Sequence, residues 1–205
     1  MNGRRLLVIA ICALLFIGST AMAEDINLDD LFVGDTSTRS KTEAQLRARN
    51  GLAVNASIRI LNDGSEKGEP THNQEIAFRV LGALRDPRAV GALCRCIELR
   101  RSIVWVSENR PTTIGDWYPA AGALAKIGKP VVRQCLWELT KENSDQRREC
   151  FCWVVGAVEG PEVGRFVFQL AIDKETDATR KARLQAALPV FEKLFPLEEM
   201  AEAAK

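Results

Sequence analysis

The sequence has few of the residues from which catalytic sites are usually built. Its 205 residues include one histidine, His72, and one tyrosine, and only 6% of them are aromatic. A serine or cysteine hydrolase normally needs a histidine as its general base, but His72 lies in a predicted helix cap and no G-x-S-x-G motif is present. A P-loop and a dinucleotide-binding glycine motif are also missing. We therefore expect a protein that is not an enzyme and has no catalytic residues.

The six cysteines do not form a recognisable metal site. Structural zinc needs four converging Cys or His ligands, usually with close pairs such as C-x₂-C. The close pairs here are Cys94/Cys96 and Cys150/Cys152, each separated by a single residue within a predicted helix. Residues two apart on a helix point about 200° away from each other, which makes them poor chelating pairs. We expect neither a bound metal nor another cofactor.

Beyond its N-terminus the chain lacks a long apolar run and an excess of either charge. Residues 1–23 have the pattern of a secretory signal peptide: Arg4 and Arg5, an apolar run over residues 6–17, and a small-x-small cleavage site ending at Ala23. That run is shorter than the roughly 20 residues a helix needs to span a bilayer, and an uncleaved signal anchor is the alternative. Removing Arg4 and Arg5 from the 28 basic residues leaves 26 against 27 acidic ones, with no basic face for nucleic acid. We expect a periplasmic or secreted protein with no nucleic-acid partner and no membrane attachment after cleavage.

A two-helix pattern is repeated three times in the middle of the chain. In each copy an apolar stripe spaced i, i+3, i+4, i+7 is followed three residues later by a proline and then by a second such stripe. The prolines are Pro87, Pro130 and Pro161, which are 43 and 31 residues apart. The first stripes are Ala77, Val80, Leu81, Leu84; Ala120, Ala123, Leu124, Ile127; and Phe151, Val154, Val155, Val158. The second stripes are Val90, Leu93, Cys94, Ile97; Val132, Cys135, Leu136, Leu139; and Val163, Phe166, Val167, Leu170. Periods of this size are typical of stacked helical pairs, and an amphipathic bundle is the alternative.

The segments LGALRDPRAVGAL and LAKIGKPVVRQCL resemble HEAT repeats, in particular the phycobilisome-lyase HEAT-like subclass. The resemblance covers residues 75–172 and extends more weakly to residue 191. It implies an all-α fold, a right-handed α-solenoid of about three to four helical pairs. Such repeats are informative about fold and poor guides to function, because the motif residues are core and turn residues.

Three further regions complete the expected domain organisation. Residues 24–41 surround the apolar cluster LDDLFV with polar and acidic residues and are expected to form a flexible leader; a short helix docked on a partner or on the first pair is the alternative. Residues 42–205 form the predicted HEAT-like domain, starting with a helix over residues 42–61 that Gly51 weakens; a kink or break at Gly51 is the alternative. Residues 100–118 are an insertion between the first two pairs, in which residues 103–108 alternate as in a short β-hairpin or extended loop.

The insertion is the predicted partner-binding surface. It combines aromatic residues with arginine, the composition enriched at interface hot spots, on a loop carried by a rigid array. The alternative is that its tryptophans fold back over the ends of neighbouring helices, and for Trp117 this is the favoured one. The candidate residues are Arg100, Arg101, Trp105, Arg110, Trp117 and Tyr118.

The cysteines raise the question of a disulfide, because five of them follow residue 23 and an exported protein meets an oxidising compartment. A predicted turn near Asn143 places Cys135 at a height similar to Cys150 and Cys152 on the next helix, so that a Cys135–Cys150 or Cys135–Cys152 bridge is possible. The alternative is that these residues are small, buried and reduced, as free cysteines commonly are.

Two functions of different classes follow from these observations. The favoured one is a non-enzymatic protein-binding or scaffold module of the cell envelope, because solenoids present long surfaces to other proteins. The other is an accessory factor or lyase-like enzyme that uses a cysteine thiol. The resemblance to phycobilisome-lyase repeats suggests bilin attachment, but export argues against it because that attachment belongs inside the cell.

Overall fold

The computed structural model describes residues 35–48, 50–102, 113–141 and 143–196. Most of these residues are in helices. No strand occurs in these ranges, so the predicted all-α class is confirmed for them. The helices are α1 (Thr36–Ala48), α2 (Asn50–Asp63), α3 (His72–Leu84), α4 (Val90–Arg95), α5 (Ile114–Trp117), α6 (Pro119–Ile127), α7 (Val132–Leu139), α8 (Asp145–Glu159), α9 (Pro161–Lys174) and α10 (Ala178–Leu194). Short 3₁₀ turns at Pro87–Ala89 and Lys129–Val131 lead into α4 and α7.

The boundaries of these helices follow from capping residues in the sequence. The Thr71 side chain caps α3 by accepting a hydrogen bond from the Gln74 amide, and the Gln74 side-chain oxygen accepts one from the Thr71 amide, which completes the predicted capping box. The Asp86 carboxylate accepts a hydrogen bond from the Arg88 amide, and Pro87 occupies the first position of the turn that follows. Pro87 and Pro130 lie in the 3₁₀ turns that lead into α4 and α7, and Pro161 is the first residue of α9, so each repeated proline marks the start of the second helical segment of a pair.

The first two pairs bury the stripes that their spacing predicts. In the first pair both stripes are at most 7% exposed, and in the second pair seven of the eight residues are buried, Leu136 being half-buried. Burying one leucine or valine side chain stabilises the fold by about 1.5–3 kcal/mol, so these stripes account for much of the core.

The helices stack in chain order. A row of extensive contacts runs from α2 to α3, from α3 to α6, from α6 to α8 and from α8 to α10. The helices α4, α7 and α9 pack on this row, α4 against α6, α7 against α8, and α9 against both α8 and α10. The core is continuous from Val54 near one end of the row to Phe191 at the other.

Two expected boundaries differ in the structure. The helical part begins at Thr36, six residues before the predicted start of the domain at residue 42, because Asp35 caps the helix by accepting a hydrogen bond from the Thr38 amide. The predicted helix over residues 42–61 is two helices, and Gly51 lies in the first turn of the second. None of the helices described in the structure is long and apolar enough to cross a membrane.

Candidate functional site

Arg101, at the first end of the predicted insertion, is held inside the structure. Its guanidinium makes two hydrogen bonds to the Glu75 carboxylate, 2.7 Å from Nε to Oε1 and 2.6 Å from Nη2 to Oε2, and a third to the Asp116 carbonyl at 3.0 Å. The Glu75 side chain is only 3% exposed and that of Arg101 14%. The Arg101 head group is therefore held by an internal carboxylate, and its expected role as a partner-binding residue stays a prediction.

The two ends of the insertion are tied to each other by the backbone. The Arg101 amide donates to the Trp117 carbonyl at 2.8 Å, and the Arg100 guanidinium lies 5.1 Å from the centre of the Trp117 ring. Trp117 and Tyr118 are half-buried and Arg100 is exposed. Tyr118 packs against the core, whereas the ring contact found for Trp117 is with Arg100. Trp105 and Arg110, with the expected hairpin at residues 103–108, lie outside the described residues.

The five cysteines in the described part of the chain are buried and unpaired. Cys94, Cys96, Cys135, Cys150 and Cys152 are all free thiols, so the expected bridge from Cys135 to Cys150 or Cys152 is not formed in this structure, and the alternative of small buried residues is the arrangement found. Burial raises the pKa of Cys96 to about 11 and that of Cys94 and of Cys152 to about 12.

The same burial acts on the other two thiols. It raises the pKa of Cys135 well above its usual value, with the neighbouring Cys94 adding to the rise, and it raises that of Cys150 likewise. A thiol is nucleophilic only as thiolate, so none of the five is activated.

A groove between α7 and α9 is the feature that the sequence did not predict. It encloses about 800 Å³, a volume within the range of ligand and peptide sites. Its walls are apolar: Leu136 and Trp137 from α7, and Val167 and Leu170 from α9, with the buried Leu184 of α10 at its base. Trp137 is 47% exposed and Leu170 is 39% exposed, which is unusual for side chains of this size.

The exposed surface continues along α9 beyond the groove. Val163 is 50% exposed and Phe166 is 66% exposed, so the predicted core stripe of the third pair is wrong for Val163, Phe166 and Leu170. The residues of α9 that are buried instead are Gly164, Phe168 and Ile172, which also follow a helical spacing. Periodicity alone could not decide between two apolar stripes on one helix.

Packing against α10 turns this second stripe of α9 inward. The Phe168 and Phe191 rings have centroids 5.0 Å apart, and Phe191 lies against Gly164, where an added Cβ would be 2.7 Å from its Cζ atom. Arg165 and Glu192 form an ion pair at 2.9 Å on the same side. Because α10 takes this face, the opposite apolar face of α9 is left toward α7 and toward solvent.

The charges around the groove are mostly positive. Lys129, Arg133 and Lys174 are exposed on its rim, and none has an ion-pair partner in the described part of the chain. Of the two acidic rim residues, Glu175 is paired with Arg180 at 3.1 Å. The other acidic residue, Glu159, is one negative charge against the three positive charges of Lys129, Arg133 and Lys174, so the rim has a net positive charge.

One edge of the groove is fixed by α10. The Arg180 guanidinium lies 5.6 Å from the centre of the Trp137 ring, and that of Arg183 donates to the Thr140 carbonyl at 3.0 Å. These contacts hold the indole at the mouth of the groove. The groove is therefore a formed apolar surface with a positive rim, suited to binding and without an evident reactive group.

The described ranges contain neither a cluster of metal ligands nor a buried histidine. No group of three or more His, Cys, Asp or Glu side chains there is placed to hold a metal ion. His72 is exposed at the start of α3. Comparison of the chain with family models, with curated proteins and with solved structures gave no significant match.

Proposed function

We propose that this protein is a non-enzymatic protein-binding or scaffold module, and that it binds its partner in the groove between α7 and α9. The observation that carries the proposal is the apolar surface left open there. Trp137 and Leu170 line the groove, Phe166 lies beyond it on α9, and each of the three is more than a third exposed. Large apolar side chains grouped in a groove mark interaction sites more often than isolated ones do. The framework below them is well packed, so the groove is available without refolding.

The proposal includes the α-solenoid arrangement, a right-handed superhelix of HEAT-like pairs. It is supported by the row of contacts from α2 through α3, α6 and α8 to α10, and by the proline that marks the start of the second helical segment in three successive pairs. In such arrays each pair contacts its neighbours, and the surface between pairs is the usual place for a partner. A groove between the second helices of two pairs fits that use.

The partner is proposed to be a protein segment with an apolar face and acidic flanks. An amphipathic helix is the form of peptide that grooves between helices usually bind, with anchors at i, i+3 and i+4. Lys129, Arg133 and Lys174 supply the complementary positive charge. The insertion at residues 100–118 stays a second candidate surface, through Trp105 and Arg110.

The alternative function, a factor that works through a cysteine thiol, has less support. The five described cysteines are buried and their pKa values lie above that of a free thiol, whereas a nucleophilic cysteine needs an accessible thiolate. The envelope or periplasmic location belongs to the proposal as well. It rests on the signal-peptide pattern of residues 1–23.

The test uses a photocrosslinker placed on the exposed face of α9 beside the groove. We would introduce p-benzoylphenylalanine at position 166 in the protein made by its native host, and at position 52 as a control, because Leu52 is 50% exposed on α2, outside the groove. After irradiation, mass spectrometry identifies the crosslinked segment. We expect position 166 to capture a defined segment with apolar residues at helical spacing and acidic neighbours, and position 52 not to.

A synthetic copy of that segment then measures affinity. Trp137→Ala should weaken its binding by about 2 kcal/mol or more, roughly thirtyfold, since an exposed tryptophan in a groove has the character of a hot spot. Leu52→Ala should leave binding unchanged. Crosslinks that are the same at both positions, or affinity insensitive to Trp137→Ala, would refute the groove as the binding site.

A further inference from the structure

We propose that the groove between α7 and α9 binds residues 24–33 of a second copy of this chain. These residues are the acidic part of the leader that precedes α1, and they are the part of the leader meant below. The inference rests on the proposed function of the groove and names its occupant. It is carried by three observations: the chemistry of the leader, the charge on the groove rim, and the distance between the groove and the leader's own attachment point.

The leader has the chemistry that the groove selects. Its sequence EDINLDDLFV places Leu28, Leu31 and Phe32 at i, i+3 and i+4, the anchor spacing of an amphipathic helix. It also carries four acidic residues and no basic one. Apolar anchors flanked by negative charge match an apolar groove whose rim carries three cations without ion-pair partners among the described residues.

Two packed helices, α3 and α6, lie between the leader's attachment to α1 and the helix beside the groove of its own chain. The leader joins α1, which begins at Thr36 and packs on α3, whereas the groove lies beside α8, and α6 separates α3 from α8. Packed helices are about 8–10 Å apart, so α3 and α8 are separated by roughly 16–20 Å. Only Gly34 and Asp35 lie between the docking residues and α1, and two extended residues span about 7 Å.

Docking between copies has a defined geometry. The leader of one copy and the groove of another are different surfaces, so the contact is heterologous and leaves each dimer with a free leader and a free groove. The free leader and the free groove either bind each other, which closes a dimer by reciprocal exchange, or bind further copies in rings or open chains, and in each case association increases with concentration. A symmetric dimer that buries groove against groove would stop at two copies.

The decisive experiment mixes two complementary variants. Leu170→Glu places a charge in the groove wall but keeps the leader, and the double variant Leu28→Glu/Phe32→Glu destroys the apolar anchors of the leader but keeps the groove. Each variant is purified from its native host. Sedimentation velocity then measures the size of the assemblies formed by each variant alone and by their equimolar mixture. Leu52→Glu, at an exposed apolar residue outside the groove, is the matched control.

We expect the wild type and Leu52→Glu to associate with rising concentration and each groove or leader variant to be monomeric, with association weakened at least tenfold. The mixture should give a 1:1 heterodimer and nothing larger, because only one leader–groove contact is intact. Circular dichroism checks folding, and Trp137→Ala replaces Leu170→Glu if that variant does not fold.

A monomeric wild type at every concentration, or a mixture that stays monomeric, would overturn the inference. Association that survives both sets of substitutions would also overturn it. Either result leaves the proposed function separately testable, because a crosslink from position 166 to another protein would still identify a partner for the groove.

Discussion

Loss of the ion pair between Glu75 and Arg101 should destabilise this protein far more than loss of a surface ion pair. The substitution that tests this is Arg101→Met, which keeps the length of the side chain and removes its charge. It leaves the Glu75 carboxylate, 3% exposed, without its two guanidinium hydrogen bonds, and it frees the Asp116 carbonyl. A buried carboxylate without a partner is costly whether it stays charged or takes up a proton.

The size of the effect follows from the burial of both partners. Removing one member of a buried ion pair costs about 3–5 kcal/mol, and a protein of this size has a total stability of about 5–15 kcal/mol. A domain of 150–250 residues loses roughly 2–4 °C in melting temperature per kcal/mol, so we expect a fall of about 6–20 °C. The double variant Glu75→Leu/Arg101→Met should be more stable than Arg101→Met, because no charge remains buried.

The assay is urea unfolding followed by circular dichroism, with calorimetry for the melting temperature. Arg165→Met is the control, since its partner Glu192 is 41% exposed and Arg165 itself 53% exposed, and such pairs contribute about 1 kcal/mol at most. A loss below about 1 kcal/mol for Arg101→Met would refute the structural role of the pair. Arg101 would then return to the candidate partner surface of the insertion.

Two further predictions concern the interior. In the native protein at pH 8, iodoacetamide should alkylate none of the five buried cysteines within minutes, because their raised pKa values keep the thiols protonated. All five should react after unfolding, and mass spectrometry counts the alkylated residues. One thiol that reacts quickly in the native protein would contradict the burial. Gly156→Ala should destabilise the fold by about 1–3 kcal/mol, because its methyl group would collide with the Phe195 ring. Gly91→Ala has open space around it and should be neutral or stabilise the fold by about 0.4–1 kcal/mol. Equal effects in urea unfolding would show that Phe195, which follows α10, is not closely packed on α8.

The sequence by itself determined the all-α class, the helical pairs and most of their boundaries. Apolar residues at i, i+3, i+4 and i+7 must face a core, and Thr71, Asp86 and the repeated prolines fix where helices begin. These are local effects, set by a residue and its neighbours within one or two turns. They were sufficient for the first two pairs, whose stripes are buried as predicted.

Only the tertiary structure decided which face of α9 is buried and what Arg101 does. Helix α9 has two apolar stripes, and the contact of Phe168 with Phe191, from a helix further along the chain, selects the one that faces the core. Arg101 meets Glu75 across 26 residues of sequence, a pairing that no local pattern encodes. The groove between α7 and α9 arises in the same way. Its apolar walls come from separate helices, and it stays open because α10 packs on the other face of α9.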